Sequence, residues 1–549
     1  MRNLLFQIPI LSASADNTAI RQTLSSAVTL FLVLLGVVAV LAVVLEIMRF
    51  FNPSRAQRRT LRILTIPVYL VVVTVLIFTI LCSNRLNSLD NIQMEQPTSG
   101  QQTSSTGSSV PSTSVVPPTT APIVPTTPTL ANPHKTENSD PNNWNIKWEI
   151  NVNGSFVNSY NRTESIQFGS GNSYFSLPGI AGFRGNNYRN GATYGTVNVA
   201  NKKLTTVWEQ TISALPKASS GAWTGAGWTG QPLVVQWDEE TKAIMNLKPT
   251  AKAKKNLVEV IYATLDGHIY FYDLETGEYT RDPMNIGMAF KGAGALDPRG
   301  YPIMYVGSGD RTREQKQPRM YIINLIDCSI MYEYGHEKEY NIRSWRAFDA
   351  SPLVDAETDT LIWPGENGLL YTIKLNTNYD KAAGTLSINP DKPVFNRYMT
   401  DLNTNPSQDL GFENSPIIVD NYLYVGDNRG TYFCVDLNTM KLVWAQEIKD
   451  DQNATAVFEW GDDGQGYLYL GTSMEYSDGT CYMYKINAAT GEIVWEKPWG
   501  DIVYNKNVSG GILSTPLLGA KDTEMEGMII FHVAKSPSEY EGTTIALAK

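Results

Sequence analysis

Metal binding and nucleophilic catalysis need Cys, His or carboxylate groups that can converge, and this 549-residue chain spaces few of them for that purpose. The four cysteines, Cys82, Cys328, Cys434 and Cys481, are scattered, with no two adjacent and no metal-ligand spacing. Of the four histidines, His134, His268, His336 and His532, one lies in a linker and one opens a strand, so neither a His-rich metal site nor a nucleophile–His pair is indicated. Gly461-Asp-Asp-Gly-Gln-Gly466 looks like a calcium loop, but it lacks alternating oxygen ligands and a distal Glu and reads as a hairpin turn. No helix follows Gly292-Ala-Gly-Ala295 or Gly307-Ser-Gly-Asp310, so they are poor phosphate cradles. With 54 Asp plus Glu against 44 Lys plus Arg, the chain has no basic stripe, which argues against nucleic acid as a partner. Binding is the function class left most open, and its residues become visible only once the strands are placed.

Those strands repeat. The phrase Gly267-His-Ile-Tyr-Phe-Tyr-Asp273-Leu-Glu-Thr-Gly277 returns as Gly430-Thr-Tyr-Phe-Cys-Val-Asp436-Leu-Asn-Thr-Met440 and, two residues longer, as Gly479-Thr-Cys-Tyr-Met-Tyr-Lys-Ile-Asn487-Ala-Ala-Thr-Gly491. The last two run on to Trp444 and Trp495. Weaker copies lie at 320–327 and 368–377, and a last trace at 542–548. Period-two alternation closing in Asp or Asn with Thr and Gly is a half-buried strand followed by a turn. Cys434 and Cys481 fall inside it and read as buried apolar residues. A second strand ending in a small residue precedes each phrase, as in Leu423-Tyr-Val-Gly426. Before that stands an apolar strand introduced by Pro, as in Ser351-Pro352, Ser415-Pro416, Thr515-Pro516 and Gln231-Pro232, where no ladder donor is needed.

Four antiparallel strands repeated radially make an all-β propeller, and first strands near 232, 294, 352, 416, 456 and 516 predict about six blades. The final unit ends at Lys549 after its third strand. An orphan at Lys203-Leu-Thr-Thr-Val-Trp208-Glu-Gln210 matches the fourth strands around Trp444 and Trp495, so Leu204 to Gln210 is expected to complete the last blade and close the ring.

The phrase, with its Ser-Pro opening strand and closing Trp, resembles the repeat of pyrroloquinoline-quinone-like propellers over about residues 200–549. That superfamily includes quinoprotein alcohol dehydrogenases and non-enzymatic relatives such as the outer-membrane assembly lipoprotein of the barrel-insertion machinery. For an active dehydrogenase the resemblance implies adjacent cysteines in a disulfide against the quinone, a Trp on its other face, calcium ligands and an Asp base. No two cysteines are adjacent here, and Trp444 and Trp495 are expected to dock blade on blade. No cofactor is expected, neither the quinone nor calcium, and no metal or catalytic residue is assigned.

In such a ring the residues just before the first strands crowd the channel mouth. They are Trp223, Trp228, Gln231, Arg346, Asp349, Glu413, Asn414 and Thr515, a candidate surface for a glycan or peptide. The alternative is that Trp223 and Trp228 plug the channel.

Upstream, residues 24–47 and 63–82 are apolar runs long enough to span a bilayer, a reading preferred over a signal peptide or a buried helical hairpin. Between them, residues 48–62 carry Arg49, Arg55, Arg58, Arg59 and Arg62, which predicts a cytoplasmic loop, with the tail 1–23 and everything after the second span extracytoplasmic. Residues 83–140 read as a Ser/Thr/Pro-rich disordered stalk and 141–200 as a small β-cap or entry segment ahead of the ring at 201–549, in which Phe183-Arg-Gly-Asn-Asn187 resembles an entry segment of such propellers. The expectation is a propeller tethered to the cell membrane that binds or scaffolds a cell-surface protein or glycan. The alternative is a quinone-dependent dehydrogenase-like enzyme or a hydrolase at the channel mouth.

Overall fold

The computed structural model describes residues 129–549, apart from 218–219, 228–229, 310–316, 336–338, 344, 477–478, 503–509 and 537–540. The apolar runs, the Arg-rich loop, most of the stalk, Trp228 and His336 lie outside the described residues. Among the described residues no helix is long and apolar enough to cross a membrane.

The folded part is an all-β propeller built from antiparallel sheets that follow one another along the chain. Sheet 1 runs Leu233–Gln236, Val258–Ala263, His268–Asp273 and Met284–Asn285, and sheet 2 runs Ala295–Leu296, Ile303–Gly307, Met320–Asn324 and Ser329–Tyr334. Sheet 3 holds Leu353–Asp355, Thr360–Pro364, Leu369–Lys374 and Val394–Met399. Sheet 4 holds Ile417–Val419, Tyr422–Gly426, Thr431–Asp436 and Lys441–Glu447, and sheet 5 holds Val457–Trp460, Gly466–Gly471, Cys481–Asn487 and Ile493–Trp499. Sheet 6 has Leu517–Leu518, Met528–Ser536 and Glu541–Ala548.

Alternation along each strand feeds two different cores. In Thr431–Asp436, Tyr432 and Cys434 pack toward sheet 5, with Phe458 and Leu468, while Phe433 and Val435 pack toward sheet 3, with Ile362 and Leu370. Equivalent layers join sheets 1 and 2 through Ile261 and Val306, sheets 2 and 3 through Tyr305 and Trp363, and sheets 5 and 6 through Tyr469 and Phe531. A one-residue slip would exchange the two faces of a strand, so these layers fix the register. The hairpin before the repeated phrase turns on Gly430, whose φ of 94° a side chain would strain.

Fourth strands dock on the next sheet. The ring of Trp444 covers Gly491, where a Cβ would lie 2.7 Å from it, and Trp444 Nε1 donates to Ala488 O at 3.0 Å. Trp208 repeats that geometry on sheet 1: a Cβ at Gly277 would lie 2.5 Å from its ring, and its Nε1 donates to Leu274 O at 2.8 Å. The strand expected at Leu204 to Gln210 does not form. Those residues take no strand pairing, Leu204 and Val207 are 91% and 80% exposed, and sheet 6 has three strands. The likeness to the other fourth strands shows in the docking of Trp208, but the expected ladder is not formed. The indole finds its pocket through two local contacts, whereas pairing with Glu541–Ala548 would need the whole segment in register.

Residues 141–200 do not form a separate cap. Lys147–Val152 pairs with Val394–Met399, and Ser155–Val157 pairs in turn with it, extending sheet 3 outward to six strands. Residues 130–139, assigned to the stalk by composition, lie against the propeller. Leu130 N donates to Asp420 Oδ2 at 2.9 Å, His134 N to Ala489 O at 2.9 Å and Ser139 Oγ to Thr490 O at 2.6 Å. Composition counts side chains, and these bonds use mostly backbone groups that composition does not register.

Candidate functional site: the propeller centre

The centre is organised by the lead-in segment 179–190. Gly179–Ile180 pairs with Val234–Val235 of sheet 1, and Gly182 bridges Ala295 of sheet 2. Phe183 N donates to Ser351 Oγ at 3.1 Å, ahead of sheet 3, and Ile418 N of sheet 4 donates to Asn187 O at 3.0 Å. Phe458 N of sheet 5 donates to Tyr188 O at 3.0 Å, and Arg184 Nη2 donates to Pro516 O, ahead of sheet 6, at 3.1 Å. The segment therefore touches the first strand or its leader in every sheet. Glycine is required for the approach: a Cβ at Gly179 would sit 2.1 Å from Val234 O.

Arg189 is the hub. It is fully buried, and its guanidinium donates to Pro416 O, Phe183 O and Ser351 O, each at 2.8 Å. Burial pulls its pKa down to about 10, so it stays charged while fixing three backbone carbonyls with one planar fork.

The Ser-Pro leaders form a relay around this hub. Ser351 Oγ donates to Gly294 O, Ser351 N to Ser415 Oγ and Ser415 N to Thr455 Oγ1, each at 2.9 Å. Thr515 is next in the series, and its Oγ1 is buried with no hydrogen-bond partner. A cavity of about 270 Å³ opens where the relay stops, lined by Arg184, Gln231, Glu413, Asn414, Asn453 and Thr515 among others.

Four of the eight residues expected at the mouth, Gln231, Glu413, Asn414 and Thr515, line this cavity. Two of the four also hold structure. Gln231 Oε1 accepts from Arg184 N at 3.1 Å, and Asn414 Nδ2 donates to Gly426 O at 2.8 Å and Gln452 O at 3.0 Å. Asp349 lies in a buried group beside the cavity, with Glu366 and Glu413. Arg346 is half-buried, with Nε and Nη1 lacking hydrogen-bond partners. Trp223 is elsewhere. It pairs with Leu215 in a two-stranded hairpin, and Lys217 Nζ lies 3.8 Å from its ring centroid. Trp223 does not line the cavity, whereas Phe183 and Arg184 of the lead-in segment do. Nothing local in Phe183-Arg-Gly-Asn-Asn187 encodes this role, since its partners are groups from distant parts of the chain.

Electrostatics sharpen the picture. Burial, reinforced by Glu366 and Glu413, holds Asp349 well above the usual carboxylate range despite Lys291 Nζ 3.1 Å from its Oδ2. Burial and the neighbouring Glu413 likewise push Asp451 well up. Lys291 is raised by Asp349, Glu366 and Glu413 although burial works against it, so it remains an ammonium and not a nucleophile.

One Ser/His/Asp trio does occur, at Ser213, His268 and Asp266. Ser213 Oγ and Asp266 Oδ2 both face the same ring nitrogen, His268 Nδ1, at 3.4 and 3.2 Å, and Ser213 Oγ donates directly to Asp266 Oδ2 at 2.6 Å. A proton relay needs the two groups on opposite ring nitrogens, so this trio anchors a loop.

No protein-family model matches the chain, and no curated protein matches it. Similar solved structures include BamB from Moraxella catarrhalis, 14% identical over 62% of this chain and 85% of that one, with a TM-score of 0.30. A europium-containing methanol dehydrogenase is 12% identical over 68% of this chain and 85% of that one, with a TM-score of 0.36. The quinohemoprotein alcohol dehydrogenase from Comamonas testosteroni is 11% identical over 68% and 79%, with a TM-score of 0.37. At such scores the likeness carries no argument of its own, and the propeller fold rests on the sheets above.

Proposed function

We propose that this chain is a binding or scaffolding module whose propeller, a single ring of six blades, takes a glycan or peptide of a cell-surface partner at the channel mouth. The reading includes membrane tethering through spans at 24–47 and 63–82, with the propeller extracytoplasmic. The observation that carries it is the cavity of about 270 Å³ whose lining combines amide and hydroxyl groups with the charged Arg184 and Glu413, with Thr515 Oγ1 buried and unpartnered at its edge. Polar groups around a concavity recognise hydroxyls and peptide bonds by hydrogen bonding.

The enzymatic alternatives find less support. The lining does not fit pyrroloquinoline quinone: Cys328, Cys434 and Cys481 are free and lie outside it, and Phe183 is the one aromatic ring among its described lining residues. A hydrolase lacks a serviceable relay at Ser213.

Glycan and peptide arrays probed with the full-length chain test the reading. A hit is expected, weakened at least tenfold by Asn453→Trp, which fills the cavity, and less by Thr515→Val. Undiminished binding by a folded Asn453→Trp variant would place the ligand elsewhere and sink the proposal.

A further inference from the structure

The two arginines of the lead-in segment are used differently. Arg189 spends its guanidinium on backbone carbonyls, whereas Arg184 lines the cavity and is only half-buried. Arg184 Nη2 donates to Pro516 O at 3.1 Å and Nε to Arg189 O at 3.4 Å, which leaves Nη1 without an acceptor among the described residues. No carboxylate there pairs with it either, and burial alone acts on its pKa, downward. Thr515, one residue before Pro516, also lines the cavity, and its Oγ1 is buried without a partner. One side of the cavity therefore offers a cationic N–H and a hydroxyl for which the protein supplies no acceptor. Arg184 is held there against its own backbone preference: its φ of 56° favours glycine, and Gln231 pins the residue by accepting from Arg184 N at 3.1 Å while donating to Gly182 O at 3.2 Å. A half-buried cation without a counter-ion, beside an orphaned hydroxyl, is costly unless an anionic ligand completes it.

We propose that the cavity takes a peptide by a single carboxylate, which accepts from Arg184 Nη1 and Thr515 Oγ1. This assignment rests on the cavity being the ligand site and adds the group that its occupant must carry. A guanidinium edge with a hydroxyl beside it matches a planar carboxylate, and a charge-assisted bond in a partly closed cavity is stronger than one in open water. Glu413 lies in the same lining and repels a second acid, so one carboxylate is accepted and a polyanion is rejected. The rest of the lining favours a peptide over a sugar. Phe183, Ala454 and Leu513 make an apolar part, with Leu513 38% exposed, that suits the side chain of an amino acid, whereas one aromatic ring is a poor platform for stacking sugars. A chain-end carboxylate and an Asp or Glu side chain present the same chemistry to Arg184.

Peptide arrays probed with the full-length chain test the proposal, each peptide being spotted as a free C-terminal acid, as its amide, and with Asp and Glu replaced by Asn and Gln; oligogalacturonate is the glycan arm. Peptide hits are expected to weaken at least tenfold when one carboxylate is neutralised, and the member of the set that weakens tells a chain end from a side chain. Arg184→Gly, which suits the left-handed backbone, should bring the charged and neutral forms to within twofold of each other, while Arg184→Lys keeps part of the preference. Thr515→Val should shrink that ratio about threefold, and it serves if the glycine variant does not fold. The ratio separates recognition from mere damage, since Asn453→Trp weakens both forms alike. Equal binding of charged and neutral forms by the wild type, an unchanged ratio in folded Arg184→Gly, or binding of oligogalacturonate alone overturns the carboxylate assignment and leaves the cavity reading standing if Asn453→Trp still abolishes binding. Absence of any hit overturns both.

Discussion

Arg189 shows how much one side chain can organise at the centre of a ring. Three carbonyls from separate segments converge on its guanidinium at 2.8 Å, so truncation leaves all three buried without a donor. Arg189→Ala is expected to lower stability by about 3 kcal/mol or more, and Arg189→Lys to recover only part of that, because an ammonium cannot reproduce the fork. Chemical denaturation of the two variants measures the difference. Asp266 makes a second, pH-dependent case. Burial raises its pKa, but Ser213, Thr264 and Tyr270 hydroxyls and the His268 amide outweigh that and bring it down to about 2. Since the folded value lies below the unfolded one of about 3.9, the stability from Asp266 is present above pH 4 and lost as pH falls toward 2. Asp266→Asn should therefore cost about 2 kcal/mol at pH 7 and much less near pH 2, as read from denaturation midpoints across that range.

Among the elements, Trp444 on a fourth strand and Trp208 on an unpaired segment give two comparable docks with different surroundings. Trp444 is fully buried between sheets 4 and 5, so Trp444→Ala is expected to cost about 3–5 kcal/mol. Trp208 covers Gly277 in the same way but keeps a face toward solvent, and Trp208→Ala should cost about 2 kcal/mol or less. Equilibrium unfolding of both variants checks the ranking. Amide exchange gives the complementary view of the neighbouring segment. Residues 203–207 lack ladder partners and should exchange rapidly, while 431–436, paired on both sides, should exchange slowly. Slow exchange over 203–207 would show that the segment joins the edge of sheet 6 in solution.

For the whole molecule, the tether can be checked independently of the ligand. Protease added outside intact cells should release the propeller and leave the Arg-rich loop at 48–62 uncut. Cleavage in that loop instead would reverse the orientation expected from its arginines. Much of the architecture was legible beforehand, because the four-stranded units are made from neighbours in sequence, whereas the strands that residues 147–157 and 179–180 add to sheets 3 and 1 are not. The phrase Thr431–Asp436 carries its own alternation and its own turn glycine. The site was less legible. Gln231, Glu413, Asn414 and Thr515 were found because they precede first strands, but Glu366 sits in a hairpin turn, Lys291 in a glycine-rich connection and Arg189 in a segment of no regular structure.

The sequence by itself determined the repeated strands, the hairpins that join them and the docking of Trp444, because period-two alternation and turn chemistry act over a few residues. Only the tertiary structure decided what occupies the centre: the lead-in segment on its Arg189 hub, the broken Ser-Pro relay and the carboxylates beside Lys291. Those depend on backbone carbonyls and isolated charges brought together from distant parts of the chain, and no local pattern encodes that meeting. The failed strand at Leu204 to Gln210 follows the same logic. Its residue pattern suits a fourth strand, yet pairing across the ring is a long-range contact that the pattern could suggest but not enforce.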